Sequence, residues 1–210
     1  MNTLGSLWTS GFFTELLAGM VVNLWIAAVA LALGLTLGLP LALLQLGGRL
    51  QRRLAGALVG PMRAAPTFVV MFFLLNVIPR DANLFGLKLA LSGVMTVAVS
   101  LVPYSAAYTA DAGIEALRQW RRGSPLGALL FLPNITRAFF VIVMSSGAAA
   151  AIGVPEGISV ILRESALLPT LGDRLVVFAV GIVLFGVPLQ LGLALMRYLQ
   201  RALGRRVVAS

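Results

Sequence analysis

Residues 16–46 run for 31 positions without an Asp, Glu, Lys or Arg, and three further long apolar stretches follow near 89–113, 126–153 and 175–198. A hydrocarbon core about 30 Å thick is crossed by roughly 20 apolar residues in a helix. A shorter apolar stretch lies at 64–79. The pattern predicts an all-α integral membrane protein of about five transmembrane helices, with residues 1–210 forming a single transmembrane domain.

Two of these spans have the wrong length for an upright helix. The 31 residues of the first exceed the core by about half at roughly 1.5 Å each. It is expected to tilt, kink or run along the interface, and Pro40 within Gly38-Leu39-Pro40 is the expected kink. The second is too short: residues 67–78 give only about a dozen apolar positions. It needs 54–59, or a slanted path buried in protein, to cross.

Charge then orients the spans. Arg49, Arg52, Arg53 and Arg63, then Arg118, Arg121, Arg122 and Arg137, then Arg197, Arg201, Arg205 and Arg206 lie on one side of a five-span chain, and only Arg80, Lys88, Arg163 and Arg174 on the other. This asymmetry predicts an N-terminus outside and a C-terminus in the cytoplasm. The net charge of +9 therefore reads as topology, and no nucleic-acid partner is expected. With 60% hydrophobic and 11% charged residues, the chain has too little polar surface for a soluble globule. The absence of Cys and His excludes disulfides, thiolate chemistry, His-ligated metals and a His general base. No catalytic residue and no metal site are assigned. The first fifteen residues have no basic n-region and carry Trp8, Phe12, Phe13 and Glu15, so they read as an interfacial lead-in rather than a cleaved signal.

Small residues punctuate the spans: Gly34 and Gly38, Ser105-Ala106-Ala107, and Ser145-Ser146-Gly147 followed by four alanines. Such spacing lets helices approach closely, and the polar small stretch can alternatively line a cavity or gate.

Several segments share an order with a known family. Met62-Arg63-Ala64-Ala65-Pro66-Thr67-Phe68-Val69-Val70-Met71-Phe72-Phe73-Leu74, followed by Ile78-Pro79, resembles the Arg-Gly-Thr-Pro stretch of the permease subunits of polar amino-acid ABC importers. Ser105-Ala106-Ala107-Tyr108-Thr109-Ala110-Asp111 is similar to that family's Ala-Ala-Tyr motif. Leu132-Pro133 with Thr136-Arg137, then Ala151-Ile152-Gly153-Val154-Pro155-Glu156, resemble its later motifs. The resemblance covers most of residues 15–206, and it makes Arg63, Pro66, Asp111, Pro133 and Arg137 structural motif residues.

The resemblance implies a multi-pass subunit of the bacterial inner membrane that forms a translocation pathway as a homo- or heterodimer by alternating access. It implies three kinds of protein partner: ABC ATPase subunits, a second permease subunit and an extracytoplasmic solute-binding protein. The chain has no Gly-x-x-x-x-Gly-Lys-Ser/Thr motif, so ATP and Mg²⁺ belong to the ATPase and no cofactor is assigned to this chain. One departure stands out. In the family's cytoplasmic Glu-Ala-Ala loop, counting back from Pro133 places the motif Gly on Trp120 and the motif Glu on Ile114. Glu115-Ala116-Leu117 is one residue out, and the loop is roughly a dozen residues shorter. A small ion-coupled secondary transporter and a non-transporting scaffold for a partner permease are the rival readings.

Within this frame, Glu115, Arg118, Trp120, Arg121, Arg122 and Gly123 form a cytoplasmic turn that either docks an ATPase or anchors the chain at the interface. Asp111 is expected to pair with that arginine cluster or with Arg137. Arg63 either snorkels or bonds open carbonyls at the start of the second span. Asn23, Asn76, Ser100, Tyr104, Tyr108, Ser145 and Ser146 are the pathway candidates, with Thr96 and Gln190 as further polar groups. Tyr104 is preferred because Pro103 beside it frees a carbonyl in mid-span. Each also fits an ordinary interhelical hydrogen bond. Residues 155–174, with Glu156, Arg163, Glu164, Asp173 and Arg174, read as an external polar stretch that is solvated or folds back as a short helix on the bundle.

Overall fold

The computed structural model describes residues 11–77, 83–84, 87–88, 91–124 and 128–209. The Trp8 lead-in, the Ile78-Pro79 end of the second predicted span and positions 89–90 and 126–127 of the next two lie outside the described residues. The elements are α1 (Phe12–Gln45), α2 (Arg49–Ala64), α3 (Thr67–Val77), a two-residue antiparallel pairing of β1 (Asn83–Leu84) with β2 (Leu87–Lys88), α4 (Gly93–Arg121), α5 (Phe131–Ser145), a 3₁₀ turn (Ser146–Ile152), α6 (Gly157–Leu167) and α7 (Leu171–Ala209).

Among the described residues, four helical stretches are long and apolar enough to cross a bilayer: α1, α4, α5 continued by the 3₁₀ turn, and the part of α7 over Leu171–Leu199. The chain is thus an all-α integral membrane protein. The pair α2 and α3 makes a fifth crossing only if the two are counted as one broken span, because they meet at 95°. Pro66 explains the break. A residue before proline is pushed out of the helical region, and Ala65 sits at φ −65°, ψ 116°.

The helix α1 stays continuous through Pro40, and its 34 residues extend about 51 Å, so its length is not relieved by an interruption at that proline. Its buried positions, among them Ile26, Ala30, Gly34, Gly38 and Ala42, recur every three or four residues and face α4, the most buried of the spanning helices. A Cβ at Gly34 would collide with the Ser105 side chain, and one at Gly38 would lie 2.5 Å from the Ala106 carbonyl oxygen. The two glycines let the α1 and α4 backbones touch. The central core joins Ile26, Ala30, Val97, Leu101, Ile142 and Ala149 from α1, α4, α5 and the 3₁₀ turn. A second cluster packs α6 against the ends of α1 and α7 through Phe12, Leu16, Val160, Ile161, Val177 and Phe185.

Candidate functional site

Three places in this bundle concentrate polar chemistry. The first is buried. After α5, the chain tightens into the 3₁₀ turn and reverses at Gly153, whose φ of +78° favours glycine. Glu156 then caps α6, its carboxylate accepting from the N–H groups of Ile158 at 2.9 Å and Ser159 at 2.8 Å. Ser159 Oγ in turn accepts from the Glu156 N–H at 2.8 Å. Asn23 of α1 completes the network. Its Nδ2 donates to Glu156 Oε2 and to Ser146 Oγ, each at 2.8 Å, and its Oδ1 accepts from the Gly157 N–H at 3.0 Å. The approach depends on Gly19, one turn earlier, where a Cβ would fall 2.6 Å from the Gly157 nitrogen. Asn23, Ser146 and Glu156 are all essentially inaccessible. Burial pushes the Glu156 carboxyl up from its ordinary value, against the lowering effect of the Ile158 N–H, Asn23 and the Ser159 N–H.

The sequence leaves Glu156 in a polar stretch that is either solvated or folded back on the bundle; in the structure its side chain is fully buried. Its burial was unreadable because Asn23, the partner that covers it, lies on α1, far from it in sequence. The available signal was Glu followed three residues later by Ser at the start of an apolar run, a capping pattern. The expectation that 155–174 folds back as a short helix matches α6.

The second place is where α2 ends. Arg63 donates through Nε and Nη2 to the Asp111 carboxylate, with contacts of 2.7–3.2 Å. The pair is half-exposed, at 59% and 47%. Asp111 therefore pairs with neither the Arg118–Arg122 cluster nor Arg137, and Arg63 binds a carboxylate rather than open carbonyls. The reason is that α4 continues straight to Arg121. Arg118 lies seven residues along the same helix, about 10 Å beyond Asp111.

The same continuity alters the third place. Glu115, Arg118, Trp120 and Arg121 occupy the last two turns of α4 instead of a separate turn, and only Arg122 and Gly123 form the reversal. Gln119 donates to Glu115 at 2.9 Å. Trp120, 66% exposed, borders an open groove of about 340 Å³ that is also lined by Leu39, Leu43, Ala116, Leu117 and Phe131. The result is an open apolar groove beside the end of α4, the helix that carries Arg118 and Arg121.

The pathway candidates do not converge on one point. Asn23 and Ser146 share the buried network. Tyr104 and Tyr108 pack side by side on α4 with ring centroids 6.1 Å apart and planes tilted by 37°. Ser100 donates to the Val97 carbonyl and Asn76 to the Phe72 carbonyl, each at 2.7 Å within its own helix, and Thr96 bonds the Ser92 carbonyl. Ser145 instead joins Gln190 and Arg137 along an open cleft of about 470 Å³ between α5 and α7. Pro133 and Arg137 also meet Met196 and Arg197 of α7 around a smaller cavity.

No protein-family model matches this chain, and neither does any curated protein. A solved structure does. One chain of the crystal structure of an amino acid ABC transporter with histidines superposes with a TM-score of 0.69 at 15% identity, over 96% of this chain and 99% of that chain. The fold implied by the ordered sequence motifs is the fold found, and this protein has the architecture of a chain of an amino acid ABC transporter along nearly its whole length.

Proposed function

We propose that this chain is the transmembrane subunit of a bacterial ABC importer for amino acids or similar small polar solutes. The observation that carries the reading is the end-to-end fold match at a TM-score of 0.69. The chain sits in the inner membrane with its arginine-rich end in the cytoplasm and pairs with a second permease subunit, so that the two rock around a shared pathway by alternating access. Arg137, Ser145 and Gln190 place polar groups in an otherwise apolar open cleft, which supports a route that a second subunit would close. ATP and Mg²⁺ act on a separate ATPase. The groove beside Trp120 suits an apolar anchor on that ATPase, and the exposed Arg118, Arg121 and Arg122 at the same helix end suit carboxylates beside it. An extracytoplasmic binding protein delivers the solute to the opposite end.

The test is a mild-detergent purification of the tagged chain from its native membrane, with co-purifying proteins identified by mass spectrometry. Recovery of an ATPase and a permease-like subunit supports the importer. Recovery of the folded chain alone supports a secondary transporter or scaffold instead.

A further inference from the structure

Helix α2 shows three faces along its 16 residues. Ala55 and Val59 are buried, Val59 against Ala107 and Ala110 of α4. Leu50, Leu54 and Leu58 are spaced four apart, which stacks them in one stripe, and they are 70%, 59% and 59% exposed. Arg49, Arg52 and Arg53 occupy a third face, centred about 150° around the helix from the leucines.

Among the described residues these arginines have no partner of opposite charge. The first turn of α2 holds no acidic residue. Arg63 pairs with Asp111 and Arg163 with Glu15, and among the described residues Arg49, Arg52 and Arg53 take part in no ion pair. Arg52 Nε donates only to the Gln45 carbonyl, at 3.3 Å. The cluster lies at the positive pole of the helix dipole, which itself favours an anion.

The spacing of the neighbouring elements bears on where this helix lies. From Gly93 to Asp111, where Arg63 ties down the end of α2, α4 rises about 27 Å, close to the roughly 30 Å of a hydrocarbon core. The helix α3 then leaves α2 at 95°. When α3 heads into the bilayer, α2 lies along its boundary. A leucine stripe and a basic face on one such helix suit the interface between acyl chains and headgroups. A soluble acidic protein would leave the leucines without a partner.

We infer that α2 is an in-plane helix that binds anionic glycerophospholipid, with its leucines among the acyl chains and Arg49, Arg52 and Arg53 on the headgroup phosphates.

The experiment is native mass spectrometry of the full chain in mild detergent, titrated with phosphatidylglycerol and separately with phosphatidylcholine. The wild type is expected to bind phosphatidylglycerol in preference. The R49Q/R52Q/R53Q variant is expected to lose that preference, at about fivefold per arginine removed, with phosphatidylcholine binding unchanged and R49K/R52K/R53K close to wild type. If the triple glutamine variant does not fold, R49Q and R53Q alone give the same test in single steps of about fivefold. Equal phosphatidylglycerol binding by wild type and glutamine variants overturns the inference. So does a variant that keeps its lipid preference but loses a co-purifying protein, because the arginines would then be docking that protein.

Discussion

Asn23 and Glu156 stand 133 residues apart in sequence and meet side chain to side chain at 2.8 Å in the buried interior. Through this contact α1 fixes the position at which the chain reverses from the 3₁₀ turn into α6. Asn23 also holds Ser146 and the Gly157 N–H, so one side chain ties three points of the reversal together.

Replacing Asn23 with Leu removes those partners at once. A buried charged or polar group left unpaired costs about 1–3 kcal/mol, more when charged. Asn23→Leu is expected to lower stability by about 3 kcal/mol, read from thermal unfolding in detergent. A loss under about 0.5 kcal/mol, the range of an ordinary surface change, would show that the network does not hold the reversal.

The raised Glu156 pKa gives stability a pH dependence. Because burial favours the neutral acid in the folded state, the stabilising contribution is full below the ordinary value of 4.5 and is lost as pH rises through the raised value. Glu156→Gln is expected to carry a fixed loss, since its amide faces N–H donors, and to lack this slope. Melting temperatures of both proteins from mildly acidic to neutral pH check it: a wild-type minus variant difference independent of pH contradicts the assignment.

Much of the architecture was legible in the sequence. The spanning helices were readable because uncharged runs of that length have few other uses; the break at Pro66 was not read, although proline restricts its predecessor wherever it stands. Gly34 and Gly38 announced the close approach of α1 to another helix, although not that the partner is α4. The candidate site was less legible. Glu156 lies among charged residues, and only the fold brings Asn23 over it. Asp111 has three arginines shortly after it in sequence, but the unbroken α4 carries them away along its axis, and Arg63 reaches Asp111 because α2 crosses there.

The Arg63–Asp111 pair is half-exposed, and solvent screening limits what it contributes. A double-mutant cycle with Arg63→Gln and Asp111→Asn is expected to give a coupling of about 1 kcal/mol or less. A coupling above about 3 kcal/mol would mean the pair is shielded from solvent.

At Gly38 a methyl group would press on the α4 backbone, which cannot yield as a flexible side chain does. Gly38→Ala is expected to destabilise by about 1–3 kcal/mol, and Gly56→Ala, where no neighbour lies within 4 Å, by far less. Equal melting temperatures for the two variants would remove close packing as the role of Gly38.

The α4 terminus is expected to transmit force without holding up the bundle, since Trp120 and Arg121 are exposed. Trp120→Ala combined with Arg121→Ala and Arg122→Ala is predicted to leave the melting temperature within about 2 °C, as expected for exposed positions, while ATP hydrolysis proceeds uncoupled from transport. Undiminished coupling would take the docking role away from this helix end.

The most direct measurement is uptake of radiolabelled amino acids into proteoliposomes containing the chain with its co-purified ATPase and binding protein, with and without ATP. The account predicts accumulation that requires ATP and stops when the ATPase is omitted. Accumulation driven by a proton or sodium gradient without ATP would contradict it.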